Sequence, residues 1–447
     1  MIGASLSFLD TTIVNVAIHT LSLDLQAGLD TAQWTVTAYL LALATVIPAT
    51  GWAARRFGAA RLYVVALTVF TIGSVLCACS QSAGMLIASR TLQGVGGGAI
   101  MPVGTMIWTA QSSKAQMGKV MALIAIPIIL APTLGPAVGG LLIQSFDWRA
   151  IFWLNVPFGV VGVVLALWLL PQEKRVDAGR LDVTGLILAS TGIVGITYGL
   201  TELGAVGRLD TAATVALLAG LSVLASFVTH ALRAKRPLLD LRLYANRAFA
   251  AASVATFALG AANYGGMIVM PLYFQTVRGE DVIFTGLLLA PTGLGALLSA
   301  PFTDRYGAGI TAFAGAVILA VSTVPFVFLT DNTSYLLLCL VMLARGIGFG
   351  LSIIPVMTAS YRALRPDKIP DATPQLNVLQ RVGGAIGTAV FSAVLASQLL
   401  HHPTPAGQAS GFGTTFGWVL ASTVIAIVPT ILLAHIEHRV RRHTLAP

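Results

Sequence analysis

Charge is what this chain has least of. Only 10% of its 447 residues are Asp, Glu, Lys or Arg, against about 25% in ordinary soluble proteins. Between Asp30 and Asp147 there is no acidic residue at all. Cysteine is nearly absent, and Cys77, Cys79 and Cys339 all fall inside apolar runs, so no disulfide framework is implied. Neither a nucleophile–base set nor a metal-ligand spacing can be assembled, and His435 and His438 are read as part of a solvated tail. The run "GVGGG" from Gly94 follows no strand, sits within an apolar stretch and has Lys114 where a dinucleotide loop would have its acid. These absences argue against an enzyme, and no cofactor is expected.

What is present is hydrocarbon. Hydrophobic residues make up 56% of the chain and the mean hydropathy is +0.85. Apolar runs recur from end to end, each long enough to cross a hydrocarbon core of about 30 Å as a helix. Fourteen spans are expected, near 1–22, 34–53, 62–80, 85–108, 119–145, 152–170, 182–201, 211–231, 248–274, 283–302, 310–330, 334–358, 373–400 and 414–434. The first is too long for a signal peptide and lacks the basic flank and small-residue cleavage site. The expected fold class is an all-α polytopic membrane protein.

The net charge of +9 is not a nucleic-acid patch, because its distribution is a topology signal. Twenty basic residues, from Arg55, Arg56 and Arg61 through Lys114, Arg180, Arg236, Arg305 and Arg365 to Arg442, fall in alternate loops and the tail. The opposite set of loops holds only Arg149, Arg208 and Arg278. Basic loops stay in the cytoplasm, which places both termini there and leaves anionic lipid headgroups as the natural contact of the charge. Arginine outnumbers lysine, a bias consistent with a GC-rich bacterium, and the expected location is a bacterial plasma (inner) membrane.

The chain repeats itself. Arg56-Phe57-Gly58 after span 2 is echoed by Arg305-Tyr306-Gly307 after span 10, 249 residues on. Arg90 in span 4 is echoed by Arg345 in span 12, and "LGPAVGG" in span 5 loosely by "RVGGAIG" in span 13. The echoes keep their order, so spans 1–6 correspond to spans 9–14. Two six-helix bundles with two extra helices between them result: residues 1–171, 172–247 and 248–447. Such duplication is expected of a transporter built around a midplane site.

Arg90 then demands a partner. A charged side chain within a span is costly and normally faces a cavity or a counter-charge. Asp10, about 13 Å along a helix from Met1, is the only carboxylate deep in a span of the first half. A carboxylate can be neutral or ionised, whereas arginine stays charged. Asp10 is therefore the candidate proton carrier and Arg90 the fixed charge beside it. A purely structural ion pair, or an arginine bonded to backbone carbonyls, is the other reading.

The motifs resemble those of the major facilitator superfamily, most closely its fourteen-span drug:proton antiporter family. "LDTTIVNVA" (Leu9–Ala17) is similar to that family's first-helix signature, and "QWTVTAYLLALATVIPATGW" (Gln33–Trp52) to its second helix. "RTLQGVGGG" resembles the fourth-helix arginine motif, "APTLGPAVGG" the antiporter motif, and "DWRAIFWLNVPFG" (Asp147–Gly159) a sixth-helix hallmark; "PLLDLRLYANRAFA" (Pro237–Ala250) resembles the lead into helix nine. The resemblance implies a major facilitator fold, coupling through Asp10 and Arg90, and alternating access. It also implies gating at Gly51, Arg55, Arg56 and Gly58, at Gly135, Pro136, Gly139 and Gly140, and at Asp304 and Arg305. Arg55 stands where the family carries an acid that helps hold the cytoplasmic gate, and an arginine is not expected to do that acid's job.

Asn15, Tyr39, Gln93, Asn263, Tyr264, Arg345, Asn377 and Arg381 are the polar groups expected along a central cavity. The expected function is a proton-driven exporter of small hydrophobic or cationic compounds, of the kind that confers multidrug and antibiotic resistance. It would run on the proton gradient and act as a monomer, with protons, amphiphilic substrates and membrane lipids as its partners. Two alternatives remain at this level: an exporter of a dedicated amphiphile or lipid, favoured by Arg345 and Arg381, and a non-transporting membrane sensor, favoured by Arg55.

Overall fold

In hydrocarbon every backbone N–H and C=O must be satisfied within the protein, and this chain does so with helices. The computed structural model describes residues 2–110, 135, 138–170, 179–206, 211–299, 302, 307–401 and 404–445, and no strand occurs among them. The helices are α1 (Ile2–Asp24), α2 (Leu29–Val46), α3 (Thr50–Phe57), α4 (Ala59–Ala78), α5 (Ala83–Ala110), α6 (Arg149–Leu169) and α7 (Val183–Val206). They continue with α8 (Thr211–Arg233), α9 (Arg247–Leu272), α10 (Val282–Ser299), α11 (Ala308–Val327), α12 (Tyr335–Arg362), α13 (Ile369–His401) and α14 (Pro405–Leu445). A helical piece over 138–145 represents span 5, most of which lies outside the described residues, as does Pro136. Among the described residues, ten helices are long and apolar enough to cross a membrane.

The second span runs longer than expected, because α2 continues into α3 through a tight turn over Ile47–Ala49. Pro48 has no N–H to give the α-helical ladder, and the tighter turn absorbs that break. α14 likewise outruns its expected end at 434 and reaches Leu445. No glycine or proline follows Pro429 until the chain's last residue, so nothing in that basic tail stops the helix.

Small residues set the helix spacing. In α5, Gly94 and Gly98 lie against the Tyr39 and Leu43 carbonyls of α2, while Gly96 lies against Ala66 and Phe70 of α4. The "GVGGG" run is thus a two-sided packing surface, as is usual where backbones approach closely in membranes. α7 and α8 form their own hairpin, with Gly192, Gly195 and Gly199 of one helix on Ala213, Ala216 and Gly220 of the other. α8 is the peripheral helix: Val215, Leu218 and Leu221 are all exposed, on a surface that suits lipid.

Two helix groups flank the centre. α1, α2, α4, α5 and α6 pack on one another, and α9 packs against α12, α13 and α14 with α10 and α11 beside α12. The repeat seen in the sequence has a backbone counterpart. Gly58 and Gly307 both take positive φ, 88° and 100°, each just before a helix. Only glycine adopts that conformation without strain.

Candidate functional site

The centre of the first group is polar where everything around it is apolar. Asp10 of α1 and Arg90 of α5 meet there with both side chains at 0% exposure. Arg90 Nη1 donates to Asp10 Oδ2 at 2.5 Å and to Gln93 Oε1 at 2.6 Å, and Nε donates to the Thr35 carbonyl at 3.0 Å. Asp10 Oδ1 accepts from Gln93 Nε2 at 2.9 Å and from Asn155 Nδ2 of α6 at 2.8 Å. Gln93 Nε2 also donates to Ser74 Oγ of α4 at 2.7 Å. One carboxylate is thereby tied to α4, α5 and α6, and through Arg90 to α2.

Aromatic rings close the cluster. The Arg90 guanidinium carbon lies 4.1 Å from the centre of the Tyr39 ring and 5.7 Å from that of Phe152. The Tyr39 hydroxyl is bonded to Ser7 of α1, 3.1 Å from Ser7 Oγ. Arg90 Nη2 is buried without an acceptor, so the guanidinium depends heavily on Asp10. Gln93 and Tyr39, expected along a substrate cavity, instead belong to this ion-pair cluster.

Asn155 was missed as a site residue. It was visible inside "DWRAIFWLNVPFG", and it is the one amide side chain of α6, an otherwise largely apolar helix. A lone amide at that depth must find a partner. Ser74 and the Thr35 carbonyl had no comparable signal.

The antiporter-like glycines face the same helix. A Cβ at Gly139 would sit 2.9 Å from Ile13 Cγ2, and one at Gly135 would collide with Thr12. Span 5 therefore lies on α1 within one turn of Asp10. Gly140 has nothing near it.

At the end of the molecule that carries α3, Arg55 forms an ion pair with Asp371 in the first turn of α13. Gly51 lies against the Pro370 carbonyl beside it. Arg56 is exposed, and Asp304 and Arg305 lie outside the described residues. The same end gathers Lys368, bonded to Asp240 at 2.9 Å, and the Trp52 indole, which donates to the Gly179 carbonyl at 3.3 Å. Asp182 accepts from the Gly185 and Leu238 N–H groups and pairs with His230 at 2.8 Å. Burial pushes the Asp182 carboxyl up, but these bonds pull it further down, leaving it below its ordinary 3.8.

All but one of the remaining candidates lie in the second group. Arg345 Nη1 donates to Thr323 Oγ1 at 2.5 Å and Nη2 to the Ala262 carbonyl at 3.2 Å. Arg381 Nε is buried without a partner. Asn377 is buried and bonded to the Thr373 carbonyl, and Asn263 donates to Met267 Sδ at 3.7 Å. Tyr264 packs on Gly384. The Asn15 side chain lies outside the described residues.

With this geometry in view, the comparisons with known proteins are decisive for the family. Residues 1–388 match the Major Facilitator Superfamily. The chain belongs to that superfamily. A multidrug resistance protein B homolog of Mycobacterium tuberculosis is 36% identical over 409 residues, 90% of this chain and 76% of that one. The putative multidrug resistance protein MdtD of Serratia proteamaculans is 28% identical over 440 residues, covering 97% and 91%. Among solved structures, the human organic anion transporter TETRAN shares the fold at a TM-score of 0.64 and 16% identity, covering 97% of each chain. The proton:xylose symporter XylE does so at 0.63 and 15%, covering 94% and 92%. As a superfamily member this is a multi-pass bacterial membrane transporter rather than an enzyme.

Proposed function

We propose that this transporter is a fourteen-span, proton-coupled exporter of hydrophobic or amphiphilic compounds, and that Asp10 is its proton carrier. The observation that carries the reading is the sealed Asp10–Arg90 pair, with the span-5 glycines resting on the same helix. Multidrug-resistance names among its relatives support the substrate class.

Protonating Asp10 removes the only counter-charge that the described residues offer a fully buried guanidinium. Leaving such a charge unpaired costs about 3–5 kcal/mol, and a two-state carrier shifts about tenfold in population for every 1.4 kcal/mol. The proton can therefore bias the inward- and outward-facing states by at most roughly two to three and a half decades, the limit reached when only one of them pairs Asp10 with Arg90. With Asp10 ionised, a compound enters from the cytoplasm or inner leaflet; protonation from outside favours release, and loss of the proton inside resets the carrier. The ligand and the proton each act only through their differential affinity for the two states.

The basic loops put both termini in the cytoplasm, and the Arg55–Asp371 pair then lies at the cytoplasmic end. Arg55 was the support for a non-transporting reading, and its pairing gives it work that a transporter needs. Inverted vesicles carrying a pH gradient test the proposal. Addition of a transported compound should release protons from the vesicles, and Asp10→Asn should abolish the response. Proton release that survives Asp10→Asn would overturn the assignment of the carrier.

A further inference from the structure

The two halves meet unevenly along the seam between α2 and α13. At the α3 end they touch directly: Gly51 lies against the Pro370 carbonyl and Pro374, and Arg55 pairs with Asp371. Farther along, α7 packs against both α2 and α13. Its Ser190 hydroxyl donates to the Thr45 carbonyl of α2 at 3.1 Å. Beyond that, Ile196 and Leu200 cluster with Ala385, Ile386 and Ala389 of α13. The Tyr198 ring stacks on Trp34 of α2, with centroids 6.1 Å apart and planes at 24°. α7 and α13 lead away from the α3 end and α2 leads toward it, so these contacts succeed one another along the seam.

α7 lies outside the duplicated six-helix units, yet it is enclosed like a core helix. No residue from Gly192 to Leu200 is exposed. Its remaining side is covered by α8, whose Ala213, Ala216 and Gly220 sit on Gly199, Gly195 and Gly192. Small residues on both helices permit that close approach. α8 in turn shows Val215, Leu218 and Leu221 to the surroundings. The order across the seam is therefore interior, α7, α8, surface. In hydrocarbon an apolar slot between two bundles is as welcoming to a lipid tail as to a leucine, and only packed protein keeps the tail out.

We infer that the α7–α8 hairpin is a lateral seal, with α7 as the wedge that closes the α2–α13 seam to the bilayer and α8 as its lipid-facing cover. A compound dissolved in the membrane then does not pass between α2 and α13; it exchanges with the interior by another seam or through water. The inference goes beyond the transport proposal and does not depend on which residue carries the proton.

The test uses the purified protein in nanodiscs of phosphatidylcholine that carries a photoactivatable diazirine midway along one acyl chain. After illumination, peptide mass spectrometry should find adducts on α8 at Val215, Leu218 and Leu221, and severalfold fewer on residues 192–200 and 385–389. Ile196→Ala with Leu200→Ala thins the wedge without touching the glycines that hold α8. Truncation of buried side chains leaves space that the surroundings refill only in part, so adducts at Ala385 and Ala389 should rise severalfold while those on α8 stay as they were. Ile196→Leu with Leu200→Met keeps the volume and should keep the footprint of the unaltered protein.

Adducts on 385–389 as abundant as those on α8 in the unaltered protein would overturn the inference. So would a thinned wedge that leaves 385–389 as protected as before. Should the double alanine variant label throughout its length, as an unfolded chain does, Leu200→Ala alone makes the same test, with the rise again confined to 385–389. Asp10→Asn should leave the footprint unaltered, so the proton-carrier proposal and the seal fail separately.

Discussion

Arg55 and Asp371 are ion-paired across the two halves of the transporter, one at the end of α3 and the other in the first turn of α13, with side chains 25% and 13% exposed. Related transporters are expected to place an acid at the position of Arg55, facing a helix N-terminus. Here the acid sits on that helix itself, where the backbone dipole favours it, and the arginine answers from the other side. Arg55→Asp would set two carboxylates face to face. The cost, discounted for partial exposure, is about 1 kcal/mol, or roughly a fivefold shift toward separation of the two ends. A cysteine at Pro374, which packs on Gly51, in a chain whose three native cysteines are replaced, should then label severalfold faster with a maleimide. The double change Arg55→Asp with Asp371→Arg should restore slow labelling only in part, since an arginine in the first turn of α13 opposes the dipole. Unchanged labelling in Arg55→Asp would remove the pair from the closure of this end.

Arg90→Lys separates charge from geometry. Lysine keeps the positive charge but has one nitrogen where arginine uses two, Nη1 for Asp10 and Gln93 and Nε for the Thr35 carbonyl. It also loses the planar face that lies over Tyr39. Transport in vesicles should drop at least about tenfold while the protein remains monodisperse in detergent. Transport at the unaltered rate would mean that the charge alone suffices.

The Asp10–Arg90 pair was legible because an apolar chain makes its few interior charges conspicuous and arginine needs a counter-charge. Gln93 lies three residues after Arg90, hence on the same helix face, so its place beside the pair was readable, though sequence gave no reason to set it there rather than toward a cavity. Asn155 hid in a motif whose more conspicuous polar members, Asp147, Trp148 and Arg149, are engaged at the far end of the helix, Arg149 with Asp147 and Asp24 and Trp148 with Asp24. The partner of Arg55 was illegible: it lies 316 residues away, and no local pattern reports which helix end meets which across two bundles. The all-helical membrane fold was readable from hydropathy, because it depends on the length and composition of the apolar runs alone. The helix ends at Phe57 and Leu445 were not, since they depend on whether a particular turn tolerates a proline or a charge.

Gly139 offers a packing test of the link between span 5 and the proton site. Gly139→Val would drive a methyl group into Ile13 Cγ2, already 2.9 Å from where a Cβ would stand. Overpacking of this kind costs about 1–3 kcal/mol, and here the displaced element is the helix that carries Asp10. Thermal stability and transport should both fall. Adding Ile13→Ala should return much of the stability, because it removes the atom that collides. If the double variant is no more stable than Gly139→Val alone, the two helices do not meet as described.

Asp182 provides a pH-dependent test at the base of the α7–α8 hairpin. Its folded-state pKa lies below its ordinary 3.8, because the Gly185 and Leu238 N–H groups and His230 outweigh the opposing effect of burial. A carboxyl held down in this way contributes stability above its ordinary pKa, and that contribution is lost as pH falls through the lowered value. Amide exchange in the segment around Leu238 should therefore stay slow down to about pH 4, once corrected for intrinsic rates, and should accelerate below it. Asp182→Asn keeps the shape but not the charge, so the corrected exchange should be faster at neutral pH and should lose the acid step. An acid step that persists unchanged in Asp182→Asn would assign it to another group, because no other carboxylate bonds the Leu238 N–H among the described residues.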